Sequence, residues 1–215
     1  MLQLTPTRVD LNRFADQVAA LEAGLHTNPP APGGILFYGS STIANWRQDN
    51  LLQRQMAPLS VLSTGFGGST AEEALFYYHR LVLPAKPSIL VYYEGDNDLA
   101  SGYAPSEILE ITHRLFEWAR RDLPGIRFVI IPAKDYPAQS APQDQLAAVN
   151  QAFLDYAAEF RDTFVVDIGP VLRDEQGQVR TDIFEADNVH FNLKGYELLT
   201  EQVKPLLEEL VAHQG

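Results

Sequence analysis

Ile35-Leu36-Phe37-Tyr38-Gly39-Ser40-Ser41 is the stretch that decides the fold. Four apolar residues run together without polar alternation and stop at a glycine. A strand buried on both faces reads this way, because helices cover both sides of its sheet. Four further segments repeat the design, at 60–65, 89–95, 127–133 and 163–169. Each is short, β-branched or aromatic, and closed by turn residues. Between and after them lie segments with helical spacing, at 43–55, 70–81, 105–122, 141–160 and 193–212. Thr70 with Glu73 has the form of a capping box. Pro105 suits the first turn of a helix, and Asn192 is placed to cap the last one. Five strands alternating with helices predict an α/β fold, a three-layer α/β/α sandwich around a five-stranded parallel sheet. Right-handed crossovers put all strand C-terminal ends on one edge, where ligands bind near the point at which strand order reverses.

Upstream, Leu11, Phe14, Ala15, Val18, Leu21 and Leu25 recur at helical spacing. They predict an N-terminal helical extension over 1–28, docked on the main body. Pro29-Pro30-Ala31-Pro32-Gly33-Gly34 is a stiff connector ending in a flexible joint. The rest of the 215 residues fits one domain.

The totals narrow the function. Asp plus Glu outnumber Lys plus Arg by 28 to 16, a net charge of −12 that repels phosphate backbones and anionic membranes. Nucleic acid is not an expected partner. The absence of cysteine excludes disulfides, thiolate metal sites and cysteine nucleophiles. No run approaches the roughly 18 apolar residues of a membrane span, and the first residues lack a secretory pattern. A cytoplasmic location without membrane insertion is the expectation.

Chemistry is sought at the strand ends. The first delivers Gly39-Ser40-Ser41-Thr42-Ile43. A serine there is a nucleophile or simply a helix cap. Ile43 stands where a G-x-S-x-G elbow needs glycine, so that motif is not met. The second strand ends in Gly65-Phe66-Gly67-Gly68-Ser69-Thr70, a loop whose backbone N–H groups can approach a ligand closely. Thr70 breaks the dinucleotide pattern G-x-G-x-x-G. The third ends in Glu94-Gly95-Asp96-Asn97-Asp98. The Asn97 amide can donate to an oxyanion; a turn and a hard-cation site are the alternatives. Asp187-Asn188-Val189-His190 lies in a loop before the last helix. His26, His79, His113 and His213 fall in or at the ends of helices; only His190 lies in a loop with a carboxylate three residues before it, which reads as a base with its orienting Asp187 or as a loop Asp–His hydrogen bond without chemical importance. Each signal alone has a structural explanation. Their order along one sheet edge is specific.

That order resembles the SGNH, or GDSL-type, hydrolase family from about residue 34 to 210. FYGSSTI resembles the first block, with Ser41 at the nucleophile position. STGFGGST resembles the second, with Gly68 at the oxyanion glycine. Gly95-Asp96-Asn97-Asp98 matches G-x-N-D, and Asp187 and His190 match D-x-x-H, followed by Asn192, Gly195 and Tyr196. Two residues depart: Ser40 stands where Asp is usual, and Thr42 where Leu or Ile is common. The choice between Ser40 and Ser41 rests on spacing.

The resemblance implies flavodoxin-like sheet order and a two-step acyl transfer without metal or organic cofactor. It implies Ser41, His190 and Asp187 as the triad. It implies an oxyanion hole from the backbone N–H groups of Ser41 and Gly68 and the Asn97 amide. The implied partner is a small-molecule ester. Trp46, Phe66, Tyr103 and Phe191 are the aromatics nearest these motifs in sequence, and are read as candidate substrate contacts or as core. Short-chain acyl or O-acetyl esters lead as substrates. Lysophospholipids and thioesters are the alternative, as is a silent binding module on the same fold or a nucleotide-binding flavodoxin-like protein.

Overall fold

The computed structural model describes residues 7–213. Its centre is a five-stranded sheet of β1 (Ile35–Gly39), β2 (Val61–Ser63), β3 (Ile89–Tyr93), β4 (Arg127–Ile130) and β5 (Thr163–Val165). The spatial order is β2-β1-β3-β4-β5, and every pairing is parallel. The order reverses at β1, so the loops after β1, β2 and β3 lie side by side.

The period of two along each strand builds two cores. Leu36, Tyr38, Leu90, Tyr92, Phe128 and Ile130 point to one face. There they meet α4 (Ala71–Leu81), α6 (Pro105–Asp122) and α7 (Gln143–Glu159). Ile35, Phe37, Ile89, Val91, Tyr93 and Val129 point to the other. They meet α2 (Ser41–Trp46), α3 (Leu51–Met56), the short α8 (Gly169–Leu172) and α9 (Leu193–Ala212). The N-terminal α1 (Ala15–Thr27) lies on α4, with Val18 and Leu25 buried and Arg80 paired to Glu22 at 2.7 Å.

The capping devices form as the sequence predicts. Thr70 N–H donates to Glu73 Oε2 at 2.9 Å and Glu73 N–H to Thr70 Oγ1 at 3.5 Å. Asn192 Oδ1 accepts from Gly195 N–H at 3.1 Å.

Three expectations are corrected. The helix anticipated over 43–55 is broken into α2, a 3-10 turn and α3, because Asp49 (φ 49°) and Asn50 (φ 57°) take left-handed backbone, which short polar side chains tolerate. The strands after the first stop earlier than anticipated, since their last residues leave the sheet to form the loops at its edge. One such loop winds into the short helix α5 (Asp96–Ala100). Among the described residues no helix is long and apolar enough to cross a membrane.

Candidate active site

Ser41 opens α2 directly after β1, and His190 lies on the loop before α9. Although 149 positions apart, Ser41 Oγ and His190 Nε2 are 3.1 Å from each other. His190 Nδ1 is 2.6 Å from Asp187 Oδ2. The other carboxylate oxygen, Oδ1, accepts the backbone N–H groups of Val189 at 2.9 Å and His190 at 3.0 Å. The carboxylate is thereby fixed by the loop it orients. The His190 contact and these two N–H bonds lower its pKa to about 2, so it stays ionised at neutral pH. An ionised carboxylate on Nδ1 keeps the proton there and leaves Nε2 free to accept one.

Ser40 behaves differently from its neighbour. It is fully buried, its N–H donates to Tyr93 O at 3.2 Å, and its Oγ has no partner among the described residues. The geometry thus brings Ser41 to the imidazole and leaves Ser40 facing the core.

Gly68 and Asn97 also meet. A Cβ built on Gly68 would lie 3.6–3.9 Å from the Asn97 amide. Asn97 Nδ2 donates to Ser69 O at 3.1 Å, and its backbone N–H to Asp96 Oδ1 at 3.0 Å. The glycine loop is held by the extension, which sequence reasoning did not connect with the site. Arg13 donates to Gly68 O at 3.1 Å and makes a two-pronged pair with Glu73. Gln17 Oε1 accepts from Gly67 N–H at 3.0 Å, and the Phe14 ring lies against both Gly67 and Phe66. Arg13, Phe14 and Gln17 share one side of a helix start, but no spacing in the sequence links them to a loop fifty residues on.

Of the four aromatics read as substrate contacts or as core, three lie in the core. Trp46, Phe66 and Tyr103 are core residues with no face left for a ligand. Trp46 stacks on Tyr196 and bonds Gln55 at 2.7 Å. Phe66 packs on Phe14, Tyr38 and Tyr77. The Tyr103 hydroxyl is held by Glu72 and by Arg8 N–H. Phe191 is mostly buried against Phe184 and Tyr196, yet borders an open cavity of about 440 Å³ beside His190. Asn45, Gln48, Arg54 and Asn192 also line that cavity.

The carboxylates at 94, 96 and 98 diverge rather than converging on a cation. Asp96 pairs with Lys134 at 3.0 Å. Asp98 accepts the N–H groups of Ala71 at 2.8 Å and Gly95 at 3.0 Å. Glu94 Oε1 accepts from Ser69 Oγ at 2.6 Å, while its Oε2 has no partner among the described residues. Burial raises the Glu94 pKa well above the carboxylate range and that of Asp98 to about 7. The folded state therefore retains protons that the unfolded chain has already lost. This contribution to stability is full at low pH and is lost as pH rises through the folded pKa. Glu94→Gln is neutral at every pH, keeps the acceptor for Ser69, and is expected to raise the thermal midpoint near pH 8. It should also flatten the decline in stability that sets in above about pH 4.5, leaving only the part carried by Asp98. Thermal unfolding across that range checks this, and an unchanged slope counts against it.

The family model for the GDSL-like lipase/acylhydrolase family matches residues 35–198. The chain belongs to this family. It is therefore a hydrolase of the acylhydrolase kind, and a catalytic triad with an oxyanion hole is general to such proteins. Solved structures of the same fold are distant in sequence. A Streptococcus pneumonia protein, provisionally named a platelet activating factor, superposes with a TM-score of 0.80 at 17% identity, over 92% of this chain and 94% of that one. A GDSL-like lipase from Bacteroides thetaiotaomicron gives 0.73 at 19%, over 95% and 100%. TesA gives 0.67 at 23%, over 82% and 99%. These likenesses speak for the fold. No curated protein sequence matches the chain.

Proposed function

We propose that this acylhydrolase is a serine esterase that cleaves short-chain acyl or O-acetyl esters through an acyl-enzyme. The observation that carries the reading is the chain of contacts from Ser41 Oγ through His190 to Asp187. Ser41 Oγ attacks the ester carbonyl as its proton passes to His190 Nε2. The carbonyl oxygen becomes an oxyanion and takes hydrogen bonds from the N–H groups of Ser41 and Gly68 and from the Asn97 amide. Asp187 stabilises the imidazolium without accepting its proton. His190 then protonates the leaving alkoxide, and the C–O bond breaks to leave acyl-Ser41. Water, deprotonated by His190, attacks the acyl carbonyl, and Ser41 leaves with the proton returned.

The leaving alcohol departs on the His190 side. The cavity there is lined by polar groups of Asn45, Gln48, Asp49, Arg54 and Glu185. Such groups hydrogen-bond hydroxyls, which supports a polar, sugar-like alcohol over a greasy one. A panel of esters graded in acyl length, with acetylated sugars included, tests the reading. Acetylated sugars are expected to have the highest kcat/KM. Preference for long acyl chains or for acyl thioesters would overturn the substrate assignment.

Asn97→Ala removes one oxyanion donor. Its kcat is expected to fall by about 10²–10³, with KM little changed. Steady-state kinetics on p-nitrophenyl acetate measure this; an unaltered kcat removes Asn97 from the hole.

A further inference from the structure

We infer that Lys134, on the loop after β4, is a positioning residue that holds the nucleophile's turn and the oxyanion amide's turn in register. The inference rests on the serine-esterase reading and adds to it a residue that none of the catalytic motifs contains.

Lys134 is 1% exposed. Its ammonium has three hydrogens and three acceptors: Thr42 Oγ1 at 3.2 Å, Tyr93 OH at 3.2 Å and Asp96 Oδ2 at 3.0 Å. Each partner leads to the site. Thr42 follows Ser41 in α2, and its carbonyl accepts from Tyr196 OH at 2.9 Å. Asp96 uses its second oxygen to accept the backbone N–H of Asn97 at 3.0 Å. Tyr93 ends β3 and also donates to Asp96 Oδ2 at 2.9 Å. The same ammonium lies 4.8 Å from the Tyr136 ring centroid and 5.9 Å from that of Phe191, the residue after His190. One buried cation therefore touches the segments that carry the nucleophile, the amide donor and the base.

Stability alone is a poor reason for such an arrangement. A buried ion pair often contributes no more than apolar side chains of the same volume, since desolvating the charges offsets their attraction. What the pair supplies is geometry. Thr42 and Asp96 sit beside Ser41 and Asn97, and no side chain of the triad links those two turns. A displacement of about 1 Å in a reacting group costs roughly 100-fold in rate.

The test separates this role from simple support of the fold. Lys134→Met alone strands the Asp96 carboxylate and is expected to lose stability as well as activity. Lys134→Met combined with Asp96→Asn removes both charges and keeps an oxygen for the Asn97 N–H. The double variant is expected to regain most of the wild-type thermal midpoint while its kcat on p-nitrophenyl acetate stays about 100-fold low and KM changes little. Return of kcat together with the midpoint overturns the inference. Thr42→Val and Thr42→Ser decide the matter if the double variant does not fold. The valine, which lacks the acceptor, should lower kcat, and the serine, which keeps it, should lose far less; equal kcat in the two overturns the inference. Wild-type turnover is measured first. A wild type without esterase activity sinks the functional reading itself, whereas an active wild type with equally active variants sinks only the role of Lys134.

Discussion

Ser41→Ala is expected to abolish hydrolysis of p-nitrophenyl acetate and labelling by a fluorophosphonate, with the fold unchanged. The expected loss in kcat is about 10⁶, the size found when a triad serine is removed. Stability should hold because Ser41 is only partly buried and its hydroxyl meets His190 Nε2 at 3.1 Å on an open loop rather than a core group. The neighbour supplies the contrast. Ser40 Oγ is buried and has no partner among the described residues, so Ser40→Ala removes a group already deprived of water and leaves none of those residues unpaired. Its expected activity is near wild type. Activity retained in Ser41→Ala but lost in Ser40→Ala would move the nucleophile by one residue. Activity retained in both would remove the serine mechanism, and the labelled peptide, mapped by mass spectrometry, identifies the residue independently.

Those two serines show what a sequence carries and what it withholds. Strand and helix order were legible because burial on both faces of a parallel sheet forces unbroken apolar runs such as 35–38, and because caps such as Thr70 and Asn192 are local devices. Ser41 and His190 were legible as a pair only through the order of motifs along the sheet edge. Which serine turns outward depends on the backbone after Gly39, and that is a tertiary fact. The aromatics near the motifs stayed open between substrate contact and core for a related reason: nearness in sequence to a site loop says nothing of which way a ring points. Trp46 follows Ser41 by five positions and points into the core.

Contacts made by distant segments outside the motifs were not legible. Arg13 and Gln17 reach the glycine loop because α1 docks on α4, and that docking depends on the apolar face of α1 rather than on either polar residue. Lys134 lies in no motif, and nothing in its sequence neighbourhood sets it apart from a surface charge. A buried lysine is recognised only once its three acceptors are seen to surround it.

The second large effect is on folding and falls on Gly39. Its φ is +140°, a backbone that L side chains rarely adopt, and a Cβ there would lie 2.0 Å from Tyr93 O and 2.9 Å from Tyr93 C. Both obstacles are backbone atoms, so no rotamer change relieves them. The residue is pinned from either side: its carbonyl accepts from Phe66 N–H at 2.9 Å, and Ser40 N–H donates to Tyr93 O at 3.2 Å. Relief requires β1 and β3 to part at their C-terminal ends, from which the segments carrying Ser41 and Asn97 leave the sheet. Gly39→Ala is therefore expected to cost more than about 4 kcal/mol, a large share of the roughly 5–15 kcal/mol that holds a domain folded. Gly24→Ala is the matched control. It sits on the exposed side of α1, where a Cβ would have no atom of the described residues within 4 Å, and helix propensity predicts a gain of up to about 1 kcal/mol. Urea unfolding of the two variants should thus shift in opposite directions. A Gly39→Ala midpoint close to wild type would mean that the end of β1 yields easily, and the close approach of β1 to β3 would then not be what sets the spacing between nucleophile and oxyanion amide.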